Sequence, residues 1–355
     1  MGFRRRRRLW HKMAMRYLFL AIALFAAVPA SADEADQALG FRIWLNNYRT
    51  AAEARGLKRE WLDAGLANVA YLPRVVALDR AQPDDSGKKN VFADYLTRQL
   101  TQSRIDDGLV RAADNRAMLK AVTAKSGVPG EIIVAIWGME TSYGRVTGNF
   151  DLPSALATLA YDGRRATLFT RELDAAVQMV GQGKAARDQM RGSWAGAFGQ
   201  SQFLPSSYLA HGVDGDGDGR SDLWNSVPDT LASIGRYLAD ASWQPDYGWG
   251  FRTGVPANFD RASVANPVKR TQCTRPLERH SVALPAKDWK AKGFVPLNAV
   301  WPADNVVMAL VEPDGPGEGA FLTTSNYRAI MEYNCSNFYA LSVALLGDAI
   351  KPATR

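Results

Sequence analysis

One carboxylate stands where carboxylates are uncommon. Ile133, Ile136, Trp137 and Glu140 are spaced 0, +3, +4 and +7, which places them on one face of a helix. The preceding Lys125-Ser126-Gly127-Val128-Pro129-Gly130-Glu131 reads as the start of that helix. Ser126 or Gly127 would cap it, Pro129 would sit in the first turn and Glu131 at the positive end. Glu140 then lies on an apolar stripe near the helix C-terminus, where desolvation and the negative helix end both favour its neutral form. A carboxylic acid kept protonated near neutral pH can protonate a leaving oxygen. The plain alternative is a helix that has already ended, with Glu140 turned to solvent. Thr141–Gly144 reads as a turn, which puts the acid at the edge of a cleft that a polymer could occupy, and a further helix follows from Pro153.

Two loops carry further chemistry. In Gly192–Tyr208, small residues alternate with aromatics and amides. Glycines allow close backbone approach, amides and hydroxyls supply neutral hydrogen bonds, and aromatic faces stack, a combination that suits sugars. A closely packed helix connection would explain the same composition. In Asp214-Gly-Asp216-Gly-Asp218-Gly219-Arg220-Ser-Asp222, carboxylates hold positions 1, 3 and 5 of a calcium loop, with Gly219 at position 6. Arg220 at position 7 would offer its carbonyl, and Asp222 at position 9 would ligate directly or through water. Position 12 is Asn225 instead of a bidentate Glu, so Asp229 is the candidate to close a longer cage. Ser226–Asp229 equally matches a helix capping box, and an Asp-Gly turn without an ion explains the rest.

The elements that must position these groups are mainly helical. Apolar residues recur at three-to-four spacing through 40–125, as in Ile43, Trp44 and Tyr48, or Phe92, Tyr95 and Leu96. Helical stretches separated by Gly-rich loops fill 126–245. Between 246 and 315 Pro and Gly rise, and short strand-like runs appear at Ser281–Leu284 and Val306–Val311. Residues 316–351 pass through Phe321-Leu322-Thr323-Thr324 into an amphipathic pattern ending in Tyr339–Leu346. The class is mainly α with a small β part.

The 355 residues are 47% hydrophobic and 22% charged, which excludes disordered, coiled-coil and collagen-like chains. The formal charge of +7 resides wholly in residues 1–32, where Arg4 to Arg8, Lys12 and Arg16 have no acidic counterpart. The rest is formally neutral, so the basic balance does not point to nucleic acid. Those 32 residues have the order of an export signal: a basic stretch, an apolar run Tyr17–Val28, then Pro-Ala-Ser-Ala; an uncleaved N-terminal anchor is the alternative. No other run approaches membrane length, and no Cys near the cleavage site offers a lipid anchor. Cys273 and Cys335 are the only cysteines. An even count in an exported chain suggests one disulfide, worth roughly 4 kcal/mol by loop closure; two free thiols are the alternative. With only His211 and His280 beside them outside the leader, a zinc site is hard to build.

Together the segments resemble the soluble lytic murein transglycosylase B family. The matching stretches are Trp137–Gly144, Gly196–Ser207, Asp214–Trp224 with Asn225–Asp229, and Asn326–Ile330 followed by Tyr333–Ala340. The resemblance implies a mainly α (α+β) fold. A lysozyme-like catalytic domain with the calcium loop (126–245) would follow a helical domain (33–125), with a small β-containing region (246–315) and a C-terminal segment (316–355) that completes the glycan groove. It implies cleavage of the β-1,4 bond between N-acetylmuramic acid and N-acetylglucosamine, with Glu140 as the single acid/base. Ser193, Gln202, Tyr237, Asn334 and Tyr339 fall where the family lines its groove, and Tyr95 within Phe92-Ala-Asp-Tyr-Leu joins them. The Cys pair and the long basic leader lie outside the matched part.

Glycosidases normally need two carboxylates, and none lies near Glu140 in sequence. One suffices if the substrate supplies the nucleophile: the muramic 2-acetamido group attacks, and the C6 hydroxyl then closes a 1,6-anhydro ring without water or organic cofactor. Structural calcium, peptidoglycan strands as partner, other cell-wall enzymes as open further partners and a periplasmic location complete the expectation. The rivals are a hydrolytic muramidase, a non-catalytic peptidoglycan-binding protein and, more distantly, a calcium sensor. A distant carboxylate such as Asp94 or Glu332, folded opposite Glu140, would favour the hydrolase.

Overall fold

The structure, a computed structural model, describes residues 32–82, 91–268, 271 and 273–351. The expected leader, 1–32, falls almost wholly outside them. Among the described residues the chain opens with helices α1 (Ala32–Ala54), α2 (Arg59–Gly65), α3 (Pro73–Arg80), α4 (Phe92–Gln99), α5 (Gln102–Asp114) and α6 (Arg116–Ser126). The central helix α7 (Gly130–Thr141) follows, then strand β1 (Phe150–Asp151), α8 (Leu152–Asp162), α9 (Ala166–Gly181), strand β2 (Arg191–Gly192), α10 (Pro205–His211) and α11 (Val227–Asp240). The chain continues through β3 (Gly250–Gly254), α12 (Thr274–Glu278), β4 (Leu284–Pro285), α13 (Ala286–Ala291), β5 (Val295–Pro296), β6 (Val307–Val311) and β7 (Phe321–Thr323), and closes with α14 (Ser325–Tyr333) and α15 (Asn337–Ile350).

Helix α7 is buried on every side from Ile132 to Gly138, as expected of a helix at the centre of a bundle and not at its surface. It packs on α15, α11, α5 and α6. The acid-bearing stripe is thus one side of an all-apolar helix, and Glu140 lies within its last turn. The expected start is corrected: Gly127, left-handed at φ 71°, closes α6, Ser126 is the last residue of α6, and Pro129 precedes the first residue of α7. One Gly-Val-Pro link ends one helix and opens the next, so its residues serve both ends.

Two apolar cores flank the central helix. One gathers α4, α6, α7, α11, α14 and α15, and the other α1–α3, α8, α9 and the Gly-rich loop. Tyr237 and Tyr333 pack against both, so the seam between the cores passes along these rings. A third, smaller core centres on Trp289 and the antiparallel sheet, whose strand order is β4-β6-β7-β3-β5. Register places Leu310 opposite Leu322 and Phe251 opposite Leu322 on its other side. Two sequence-based readings are refined here. The Ser281–Leu284 run contributes only Leu284 to a strand, because Ser281 and Val282 donate their N–H groups to Leu310 and Val264 outside the ladder. The sheet also takes β7 from beyond residue 315.

The Cys273–Cys335 disulfide forms, with Cα atoms 5.6 Å apart across 62 positions. It fastens the start of α12 to the link between α14 and α15. Among the described residues no helix is long and apolar enough to cross a membrane.

Gly138 admits the ring of Tyr143 against α7: a Cβ there would lie 2.5 Å from Tyr143 Cζ. Gly138→Ala is therefore expected to destabilise the protein by about 1–3 kcal/mol through overpacking, measured as a lower urea midpoint at unchanged slope.

Candidate functional site: a buried acid in an aromatic groove

Glu140 is only partly exposed. Its Oε1 accepts a 2.6 Å hydrogen bond from the Tyr339 hydroxyl of α15. Burial raises its pKa to about 7, outweighing the hydrogen bond, which pulls the other way. Among the described residues no ion pair involves Glu140. Neither Asp94, exposed on α4, nor Glu332, exposed on α14, contributes to its shift. The site therefore holds one carboxyl whose neutral form burial favours well above the usual carboxylate range.

Aromatic groups close around it. Tyr339, Tyr333 and Tyr95 each feel the Glu140 charge, and each has its phenol pKa raised, chiefly by burial. Tyr95 leans on Phe338 with centroids 5.6 Å apart. Tyr237 stacks beside Tyr333 at 4.8 Å and donates its hydroxyl to the Glu332 carbonyl. Tyr333 donates to the Ser201 carbonyl at 2.6 Å, tying α14 to the Gly-rich loop. Tyr333, which the sequence does not single out, lies close enough to feel the Glu140 charge. It lay inside a matched motif, but no local pattern separated it from Asn334.

The Gly-rich loop is neither a helix connection nor a free turn. Phe198 bridges to Gly192 on one side and to Phe203 on the other. Gln202 adopts a left-handed φ of 51°, and its Nε2 donates to the carbonyls of Thr147 and Gly199. Ser193 is partly exposed, and its Oγ accepts from Ala197 N. Asn334, exposed, ends α14 next to the disulfide. The backbone after Glu140 is strained too: Ser142 and Tyr143 have φ of 50° and 62°, a cost of order 1–3 kcal/mol each for side-chain-bearing residues.

In the acidic loop the structure brings Asp214, Asp216 and Asp229 together, with one oxygen of each within 4.8 Å of the others. Asp229 is buried, and its pKa is raised by burial first and by Asp216 in part. Three converging carboxylates form an all-oxygen donor set that suits a hard divalent cation, and metal binding is the coarse reading of this cluster. Asp218 and Asp222 do not share this cluster of side-chain oxygens, and Arg220 was expected to contribute only its carbonyl. Asp218 accepts from Arg220 N, Arg220 is exposed, and Asp222 accepts the N–H groups of Trp224 and Asn225. Ser226 does cap α11 by accepting Asp229 N, but the Asp229 carboxylate turns to Gly215 N and Asp222 N instead of returning to Ser226.

A mainly helical body with an unpaired acid ringed by tyrosines is the arrangement expected of a protein that cleaves glycan chains. Comparison with known proteins narrows the class. Residues 40–348 match the family described as transglycosylase SLT domain. The membrane-bound lytic murein transglycosylase B of Escherichia coli strain K12 is 31% identical over 303 residues, 83% of this chain and 79% of the relative. The crystal structure of SltB3 from Pseudomonas aeruginosa in complex with NAG-anhNAM-pentapeptide aligns with a TM-score of 0.78 at 36% identity, covering 88% of this chain and 80% of that one. The Escherichia coli lytic transglycosylase Slt35 in complex with calcium aligns with a TM-score of 0.69 at 26% identity, covering 88% and 93%. The chain belongs to the transglycosylase SLT family. Its activity is that of a peptidoglycan lytic transglycosylase, a carbon–oxygen lyase.

The phenol of Tyr339 stabilises the ionised form of Glu140, so its removal must favour the neutral form. In Tyr339→Phe the Glu140 titration is expected to move above its midpoint of about 7, followed by carbon-13 NMR of the labelled carboxyl. A midpoint unchanged or lower would contradict the hydrogen bond.

Proposed function

We propose that Glu140 alone performs the acid and base steps of a non-hydrolytic cleavage between N-acetylmuramic acid and N-acetylglucosamine. The observation that carries this reading is the single partly protonated carboxyl, with no second carboxylate acting on it. Neutral Glu140 gives its proton to the glycosidic oxygen as the C1–O bond breaks. The muramic 2-acetamido oxygen bonds to C1 in its place, an intramolecular attack for which well-oriented groups gain up to about 7–11 kcal/mol. The C6 oxygen then attacks C1 and displaces the acetamido oxygen, while ionised Glu140 takes the hydroxyl proton. A 1,6-anhydromuramic end results, Glu140 is protonated again, and no water is consumed. The complex of SltB3 with an anhydro sugar supports this product. Two-carboxylate hydrolysis would need a second acid, and Asp94 and Glu332 are both exposed and neither acts on Glu140.

In this reading Tyr95, Ser193, Gln202, Tyr237, Asn334 and Tyr339 line the glycan groove, with Tyr333 added to them by its place beside Glu140. Calcium is the cation for Asp214, Asp216 and Asp229, supported by the calcium complex of Slt35. Asp218, Arg220 and Asp222 shape the loop by backbone contacts. The ion stabilises the fold and takes no part in the chemistry. The leader directs the chain to the periplasm, where its peptidoglycan substrate lies.

The central experiment digests purified peptidoglycan in water enriched in oxygen-18. Products are expected to be unlabelled and 18 Da lighter than the unlabelled hydrolysis products, about the mass of the one water that a hydrolase would add. Glu140→Gln is expected to fold normally and lose well over tenfold in rate, about 1.4 kcal/mol or more of barrier. Quantitative label at new reducing ends would replace the lyase with a hydrolase.

Calcium binding to the native state should raise the melting temperature with calcium concentration. Asp214→Ala with Asp216→Ala is expected to abolish that rise in differential scanning calorimetry. An undiminished rise would place the ion elsewhere.

A further inference from the structure

We infer that Gln200 is a positioning residue for Glu140, the joint through which the Gly-rich loop and the turn after the acidic loop hold the catalytic end of α7; this rests on Glu140 being the acid. Gln200 is 7% exposed and faces α7 with both its side chain and its backbone. Its Oε1 accepts the Trp137 indole N–H at 3.1 Å, and its carbonyl accepts the Thr141 hydroxyl at 2.8 Å. Trp137 and Thr141 lie three residues before and one after Glu140, so Gln200 grips the helix on both sides of the acid. The Thr141 oxygen in turn accepts Gly144 N at 2.9 Å, which folds the strained turn back under the helix end. On its far side Gln200 donates its N–H to the Leu223 carbonyl at 2.7 Å. Leu223 adjoins Asp222, which organises the turn through Trp224 and Asn225.

The space for this joint is built in. A Cβ on Gly144, at φ 83°, would lie 2.3 Å from Gln200 Oε1, so only glycine lets the amide seat against the turn. The next residue in the loop extends the same function, since Ser201 accepts the Tyr333 hydroxyl. Two consecutive carbonyls of one loop therefore anchor the helix that carries the acid and a tyrosine that faces it. The titratable groups facing Glu140 are Tyr339 from α15, Tyr333 from α14 and Tyr95 from α4. None of them bonds to the Gln200 side chain, so its removal acts on the place and hydration of the acid without changing its charged neighbours.

Loss of the joint should misplace the acid and admit water beside it. Misplacement lowers kcat, because a shift near 1 Å can cost on the order of a hundredfold. Water lowers the raised pKa, so the alkaline limb of the rate profile, where the acid loses its proton, should move to lower pH. Gln200→Leu keeps the volume but removes the acceptor for Trp137. Thr141→Val keeps the shape but removes the hydroxyl, and Thr141→Ser restores it. With a soluble peptidoglycan tetrasaccharide as substrate, Gln200→Leu and Thr141→Val are each expected to lower kcat by about tenfold or more. The expected change in KM is under about threefold, with the alkaline limb displaced downward and Thr141→Ser recovering most of the rate. Should Gln200→Leu fail to fold, the Thr141 pair decides the matter alone. Folded variants with kcat within about twofold of wild type and an unmoved limb would overturn the positioning role. Retained activity in Glu140→Gln would instead overturn the acid assignment, so the two failures are separable.

Discussion

The hydrogen bond between Tyr339 and Glu140 joins residues 199 positions apart, and much of the architecture serves to make it. An acid that must remain neutral near pH 7 has to be withdrawn from water, yet an entirely unpartnered carboxyl would be costly. One phenol resolves the conflict. It satisfies one oxygen without adding a positive charge that would drive ionisation, and it leaves the other oxygen for a proton. Placing that phenol requires α15 to lie along α7, and those two helices pack extensively. It also requires the start of α15 to be defined, which Ser336 achieves by accepting Tyr339 N. The disulfide one residue earlier holds that start against the β-containing region.

The same constraint explains why α7 is apolar all round from Ile132 to Gly138. A helix exposed on one face would bring water along that face to its last turn. Burial of Ile132 through Gly138 removes that route, and glycine at 138 lets an aromatic ring seal the approach from α5. The strained left-handed pair Ser142 and Tyr143 then reverses the chain immediately after the acid. This is the sort of local expense that packing elsewhere must offset.

What could be read from sequence divides by range. Glu140 and the carboxylates from Asp214 to Asp222 announced themselves through spacing within a single turn or loop. Which of those carboxylates converge could not be read, because Asp222 matched position 9 of a calcium loop yet its oxygens accept from Trp224, Asn225 and Gln189. Tyr339 and Tyr237 were accessible only through family resemblance, since no periodicity links them to a residue one or two hundred positions away. Tyr333 and Gln200 escaped for a related reason: each acts through a backbone carbonyl or an indole that sequence spacing does not reveal. The misread start of α7 came from a short link in which one glycine ends a helix and a proline precedes another. The strands were legible as runs, but their pairing order, with β7 at the centre of the sheet, is a property of tertiary structure.

The absence of an ion pair at Glu140 among the described residues has a pharmacological corollary. Once Glu140 has released its proton, it is a carboxylate with a phenol beside it and, among the described residues, no paired cation. The counterion the site lacks can come from a bound molecule. A sugar mimic with a protonated amine near the anomeric position would supply it, and the neutral sugar it imitates would not. Its grip would tighten as Glu140 ionises, so inhibition would gain on the alkaline side of neutrality, where turnover loses its acid.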